Sequence, residues 1–189
     1  PIYSIIALDN SNRIFRIRAQ QVLQGRSLAD YLLNQLNLQR IATAQMDLES
    51  TGGVFGFANA LQALGVAPTG TFILDNPNDL TGFVSTIGNA NPEVLAVYGP
   101  AELASALYVQ LRAAGWQGQY VYNNAQNPDF QAELTEDDLN GILASTTWSA
   151  STLDETSTRF TLAYVRQFGD VPTALSAAGY DAVNLLAEA

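Results

Sequence analysis

The sequence predicts an α/β fold, a mainly parallel sheet of about five strands with helices on both faces. Three observations lead there. Short β-branched runs alternate with amphipathic stretches along the chain, the turns between them are only two to six residues long, and Gly or Pro stands where several helical patterns stop. Strand-helix repeats of this length favour parallel pairing with crossover helices.

Taken in order, residues 2–8 and 13–17 read as short extended segments. Between residues 19 and 38, Val22, Leu28, Ala29, Leu32, Leu33 and Leu36 recur at mostly three- and four-residue spacing, the mark of a helix with one buried stripe. A strand over 40–45 and a helix over 51–64 follow, the latter closed by Gly65. Next come a strand at 71–74, a helix at 79–88, a strand at 94–97 and a helix at 101–114 ended by Gly115. Residues 119–122 and 142–146 read as the last strands. Two helices, near 155–168 and 172–189, are separated by Gly169 and Pro172. No repeat, low-complexity tract or internal linker interrupts the series.

Composition narrows the chemistry. The chain has 189 residues and 48% hydrophobic content, yet no Cys and no His. Its eight cationic residues are all Arg, so Lys is absent too. The usual zinc and transition-metal sites need Cys or His. Ser-His-Asp and Cys-His nucleophile systems are excluded, as are a Schiff-base or P-loop lysine. The residues thus point to no catalytic group, no metal and no cofactor. A formal charge of −10 argues against a nucleic-acid partner, which needs a basic stripe. No apolar run approaches the ~20 residues of a membrane-spanning helix.

In open α/β sheets, ligands lie beyond the carboxyl ends of the strands. That directs attention to residues 47–53, 75–78, 98–100, 123–126 and 147–149. The turn from Glu49 through Ser50, Thr51, Gly52 and Gly53 opens a helix, where free amides can hold an anion; Ser50 or Thr51 can equally be a plain cap. Tyr98-Gly99-Pro100 places an aromatic hydroxyl at a strand end, either as a pocket wall or as cover for the sheet edge. Asn123 and Asn124 offer amides that both donate and accept. Trp148 can stack on a ligand or serve as a core or interface residue. The run Glu133, Glu136, Asp137 and Asp138 lacks metal-loop spacing and reads as a solvated face.

Several segments carry a family resemblance. Residues 24–32 (QGRSLADYL) followed by Arg40-Ile41-Ala42, residues 56–65 (GFANALQALG), Asn91-Pro92-Glu93-Val94 with Tyr98-Gly99-Pro100, residues 111–115 (LRAAG) and residues 179–189 (GYDAVNLLAEA) resemble, in order, the second lobe of branched-chain amino acid-binding proteins. These are type I periplasmic solute-binding proteins. The resemblance implies two α/β lobes closing on a solute that an ABC permease imports from outside the cytoplasm. It further implies that residues 1–189 are one lobe, the second, with Pro1-Ile2-Tyr3-Ser4 as the crossover and the first lobe absent. A chain opening on Pro1 and ending on Ala189 inside a helical pattern fits an excised piece.

The resemblance also bears on the site. Tyr98 falls where amino-acid binders carry a ligand-contacting Tyr, and Asn124 where they carry an acidic partner for the substrate ammonium. Glu49 or Ser50 falls where another pocket Tyr is usual. The expected ligand-binding set is therefore Tyr98, Asn124, Glu49 or Ser50, with Trp148 near its edge. The ligand would be a small polar solute, amino acid-like or organic acid-like. Asn124 removes a counter-charge, which favours a ligand without a free α-amino group unless Glu49 turns inward. The same module can alternatively serve as the sensor of a membrane receptor or kinase; a carboxylate-based enzyme is a distant third reading.

Overall fold

The computed structural model describes residues 21–188. The extended segments expected at 2–8 and 13–17, and the crossover at Pro1 to Ser4, lie outside them. Contacts group the described residues into two compact units, 21–145 and 146–188.

The first unit is built on a parallel sheet. In chain order its elements are α1 (Gln21–Asp30), which runs on into a π-helical turn (Tyr31–Gln35), β1 (Ile41–Gln45), α2 (Thr51–Ala63), β2 (Gly70–Ile73), α3 (Leu80–Ala90), β3 (Val94–Tyr98), α4 (Ala101–Ala113), β4 (Gln119–Tyr122), α5 (Pro128–Gln131), α6 (Glu136–Asn140) and β5 (Ile142–Leu143). The five strands lie in the order β2-β1-β3-β4-β5, every pair parallel. The chain steps one way from β1 to β2 and the other way from β2 to β3. Since such crossovers are right-handed, the α2 crossover must cover one face and those through α3 and α4 the other. The core shows this division. Leu28, Leu32, Phe57 and Leu61 pack with Ile41, Val94, Ala96 and Val121 on one face. Phe83, Ile87, Leu107 and Leu111 pack with Ala42, Ala44, Leu95, Val97 and Tyr120 on the other.

Strand and helix boundaries fall close to the sequence reading; two short helices, α5 and α6, were not anticipated. In the acidic run read as a solvated face, Thr135 and Asp138 form a reciprocal capping box that opens α6. Glu133, Glu136 and Asp137 are indeed exposed, while Leu134 and Leu139 pack against the core. The expected last strand shrinks to Ile142–Leu143, because β4 is itself short and the ladder ends at Val121–Leu143.

At the amino edge of the sheet, Glu93 ties β3 to β1. Its carboxylate accepts the Gln39 and Arg40 backbone N–H groups at 3.1 and 2.9 Å, and the Arg40 guanidinium stands 3.5 Å away. These backbone bonds, with the Arg40 charge, hold the Glu93 carboxyl below its usual pKa.

The second unit, in its described residues, holds α7 (Glu155–Phe168) and α8 (Ala174–Glu188). Asp154 caps α7 by accepting the Ser157 N–H at 2.9 Å. Phe160 gathers the aromatic cluster, its ring 5.5 Å from Trp148 and 4.8 Å from Tyr180 between centroids. No helix among the described residues is long and apolar enough to cross a membrane.

The first unit's stability should reside in the α3/α4 face. Leu107→Ala, at a fully buried position, is expected to cost about 2–5 kcal/mol. Tyr120→Phe removes only a hydroxyl that donates to the Ala104 carbonyl at 2.7 Å and should cost about 1 kcal/mol. Urea unfolding of the two variants measures both.

Candidate functional site

The reversal of strand order falls between β1 and β3, and in open α/β sheets the carboxyl ends of the strands at such a point are where ligands are taken. Gln45 and Tyr98 are register partners at that edge. The pairing continues past the strands, the Met46 N–H donating to the Tyr98 carbonyl at 2.9 Å. Beyond it the Tyr122 hydroxyl donates to the Gly99 carbonyl at 3.0 Å, which ties the β3 turn to β4. Gly99 lies at φ 154°, and a Cβ there would stand 2.5 Å from the Met46 Cβ. Only glycine lets these turns approach so closely.

Tyr98 stands on the face covered by α1 and α2. Its ring lies against the start of α2, where a Cβ on Gly53 would meet the ring at 2.8 Å, and 6.4 Å from the Phe57 ring. Burial pushes the Tyr98 hydroxyl up from its ordinary pKa. Tyr122 stands on the opposite face, its ring 4.5 Å from Phe130. Its hydroxyl is pushed up to about 12, first by burial, with the carboxylates of Glu102 and Asp47 adding to the shift and a hydrogen bond with Asn124 opposing it.

The loop between β1 and α2 is closed on itself. The buried Gln45 side chain donates to the Asp47 carbonyl and to Thr51 Oγ1, each at 2.8 Å. Asp47 Oδ1 accepts the Ser50 N–H at 2.8 Å, and the Thr51 N–H reaches the Leu48 carbonyl at 3.3 Å. The amides of Gly53 and Val54 turn back to the Ser50 carbonyl at 3.0 and 3.1 Å. The turn that the sequence offered as an anion cradle has therefore spent most of its donors internally, with a carboxylate at its mouth. Neither Ser50 nor Thr51 acts as a side-chain N-cap for α2.

Tyr98, Asn124, Glu49 and Ser50 thus lie at or just beyond the carboxyl ends of β3, β4 and β1, one edge of one parallel sheet. Glu49 and Asn124 are exposed, Ser50 and Tyr98 half-buried. Trp148 belongs to the second unit. Its indole N–H donates to Ser157 Oγ at 3.1 Å and its ring meets Phe160 edge-on, so its polar edge is engaged with α7. Asp47, the first residue of the 47–53 turn, lies at this edge as expected from its place after β1, while Gln45 and Glu102 join the edge without being singled out in the sequence. Gln45 was discoverable as the one amide in an otherwise small, apolar or hydroxylic strand, and Glu102 as the acidic residue in the helical turn after Tyr98-Gly99-Pro100. No cluster among the described residues has the donors of a metal site.

The family profile for periplasmic binding protein matches residues 4–189. The chain belongs to that family. This periplasmic binding protein is similar in fold to a leucine binding protein, LivK, from Thermotoga maritima, with a TM-score of 0.77 at 22% identity over 90% of this chain and 50% of that one. An ABC transporter substrate-binding protein from Desulfitobacterium hafniense matches at 25% identity and a TM-score of 0.73, over 92% of this chain and 50% of that chain. The branched-chain amino acid transporter substrate-binding protein LivJ from Streptococcus pneumoniae, solved in complex with isoleucine, matches at 19% identity and a TM-score of 0.73, over 91% and 50%. The chain spans about half the length of these structures. The comparison with curated proteins returns no match. The family and the fold neighbours are binding proteins rather than enzymes.

A pH dependence follows from the two edge tyrosines. Their folded-state pKa values lie above the ordinary value of 10.0, so the fold favours the neutral hydroxyl. The stability this contributes is intact below pH 10 and is lost as the pH climbs through about 12, the folded value of Tyr122. Urea midpoints across that window should fall with pH, and Tyr122→Phe should flatten the decline. An unchanged slope in that variant would assign the alkaline loss elsewhere.

Proposed function

We propose that the protein binds a small polar solute outside the cytoplasm, at the carboxyl edge of its sheet, as the substrate-binding component of an ABC importer. The family match over residues 4–189 is the observation that carries this reading. The topology supports it, since the carboxyl ends of β1 and β3, where the strand order reverses, are where open α/β sheets take ligands. Tyr98 supplies an aromatic wall with a hydroxyl. Asn124 supplies an exposed amide, and Glu49 or Ser50 flanks them from the α2 turn. A second lobe would cover this edge and exclude water, as pockets of this kind require. Solutes should leave the site unchanged, since no nucleophile-base pair has been assembled at the edge.

Calorimetry on this chain and on a polypeptide that adds a covering lobe tests the reading. The longer form should bind one solute molecule at a single saturable site, and this chain should bind the same solute far more weakly. Tyr98→Ala in the longer form should weaken binding at least about tenfold, the loss of one buried aromatic contact. Equal affinities in the two forms, or binding indifferent to Tyr98→Ala, would place the solute elsewhere.

A further inference from the structure

Tyr122, the last residue of β4, is only 2% exposed and offers a solute nothing directly. Its phenol nevertheless ends at the turn that follows Tyr98. In the β3–β4 ladder its register partner is Val97, and from there its hydroxyl reaches forward to the Gly99 carbonyl at 3.0 Å. Two residues of strand span about 6.6 Å, a distance a tyrosine covers and a shorter side chain does not. The Phe130 ring, 4.5 Å away and tilted by 32°, holds the phenol on that line.

The group that Tyr122 holds is the one in the turn with the fewest other restraints. Pro100 has no N–H, so the Gly99–Pro100 peptide can be held by hydrogen bonding only through its oxygen. Among the described residues the Tyr122 hydroxyl supplies that bond. The peptides on either side are secured by backbone, the Met46 N–H donating to the Tyr98 carbonyl at 2.9 Å and the Ala104 N–H to the Pro100 carbonyl at 3.0 Å. Gly99 itself, at φ 154°, has no Cβ to limit rotation. Tyr120 makes the contrast. It lies two residues earlier on the same face, and its hydroxyl donates at 2.7 Å to the Ala104 carbonyl, a group inside α4 that the helix already holds in place.

We propose that Tyr122 is a positioning residue for solute binding, its hydroxyl pinning the Gly99–Pro100 peptide and so setting the strand end from which Tyr98 meets the solute. The proposal rests on the carboxyl edge being the solute site. Met46 secures the end of β3 from β1 and Tyr122 secures it from β4, so the turn is clamped from both neighbouring strands. A binding group works only when residues behind it hold it within a fraction of an ångström of its geometry. Tyr122 does this without touching the solute.

Amide hydrogen exchange of the 189-residue chain, read by NMR, compares Tyr122→Phe with Tyr120→Phe. Each variant deletes one buried hydroxyl and keeps its ring. Tyr122→Phe should speed exchange at Met46, whose acceptor is the Tyr98 carbonyl, about fivefold relative to Ala96 inside β3, the factor one neutral hydrogen bond supplies. Tyr120→Phe should move Met46 and Ala96 together. Calorimetry on the longer form then uses leucine, glutamate and succinate as probes. Whichever probe Tyr98→Ala weakens should bind roughly two- to tenfold more weakly in Tyr122→Phe, and with unchanged affinity in Tyr120→Phe. Met46 exchange that rises equally in the two variants overturns the positioning role. So does a probe that responds to Tyr98→Ala and is indifferent to Tyr122→Phe. Failure of all three probes to bind, or binding that ignores Tyr98→Ala, overturns the solute site and the positioning role with it, whatever the exchange shows.

Discussion

The parallel pairing of β1 with β3 is the constraint on which the rest of the first unit depends. It is the register, Gln45 opposite Tyr98, that sends Tyr98 to the α2 side and Met46 to the other. Once that register is set, Gly99 must lack a side chain because Met46 stands against it, and Gly53 must lack one because Tyr98 does. A slip by one residue would exchange the two faces of the strand. It would carry Gln45 from the loop it anchors into the apolar packing of Phe83 and Leu107. The candidate site and the core are therefore specified by the same contacts.

Much of the first unit was legible because its strands and helices differ in period and are punctuated by glycine. Residues 119–122 and 155–168 coincide with β4 and α7. Other boundaries move by one to three residues, where local hydrogen bonding decides and periodicity does not. Residue 37, for example, sits at φ 53° after the π-helical turn, which stops α1 short of the expected position 38. The helices α5 and α6 were hidden because each spans little more than a turn, too short for a hydrophobic period to show. What identifies them is capping by Asn127 and Thr135. The division into two units left no linker composition to read.

For the site, position along the strands was legible and chemistry was not. Family resemblance and strand ends both led to Tyr98, Asn124 and the loop at Glu49 and Ser50, and the parallel sheet brings them to one edge. The polarity of that edge depends on which donors are already engaged, and sequence does not record it. The polar turn at residues 49–53 looked like an anion cradle. Only the bonds from Ser50 to Asp47 and from Gly53 and Val54 back to Ser50 reveal a loop that satisfies itself.

The Glu93 clasp at the amino edge has a consequence for how such a protein can change over evolutionary time. It fixes the entry of β1 and β3 by bonds to the Gln39 and Arg40 backbone, at the end of the sheet remote from the loops that leave the strands. Because those bonds go to main-chain groups, they do not depend on which side chains the distant loops carry. Substitutions at positions such as 49, 102 or 124 can accumulate while strand alignment is held from behind. If the proposed function holds, a lineage built on this frame would exchange one solute for another through a few loop residues, without passing through unfolded intermediates.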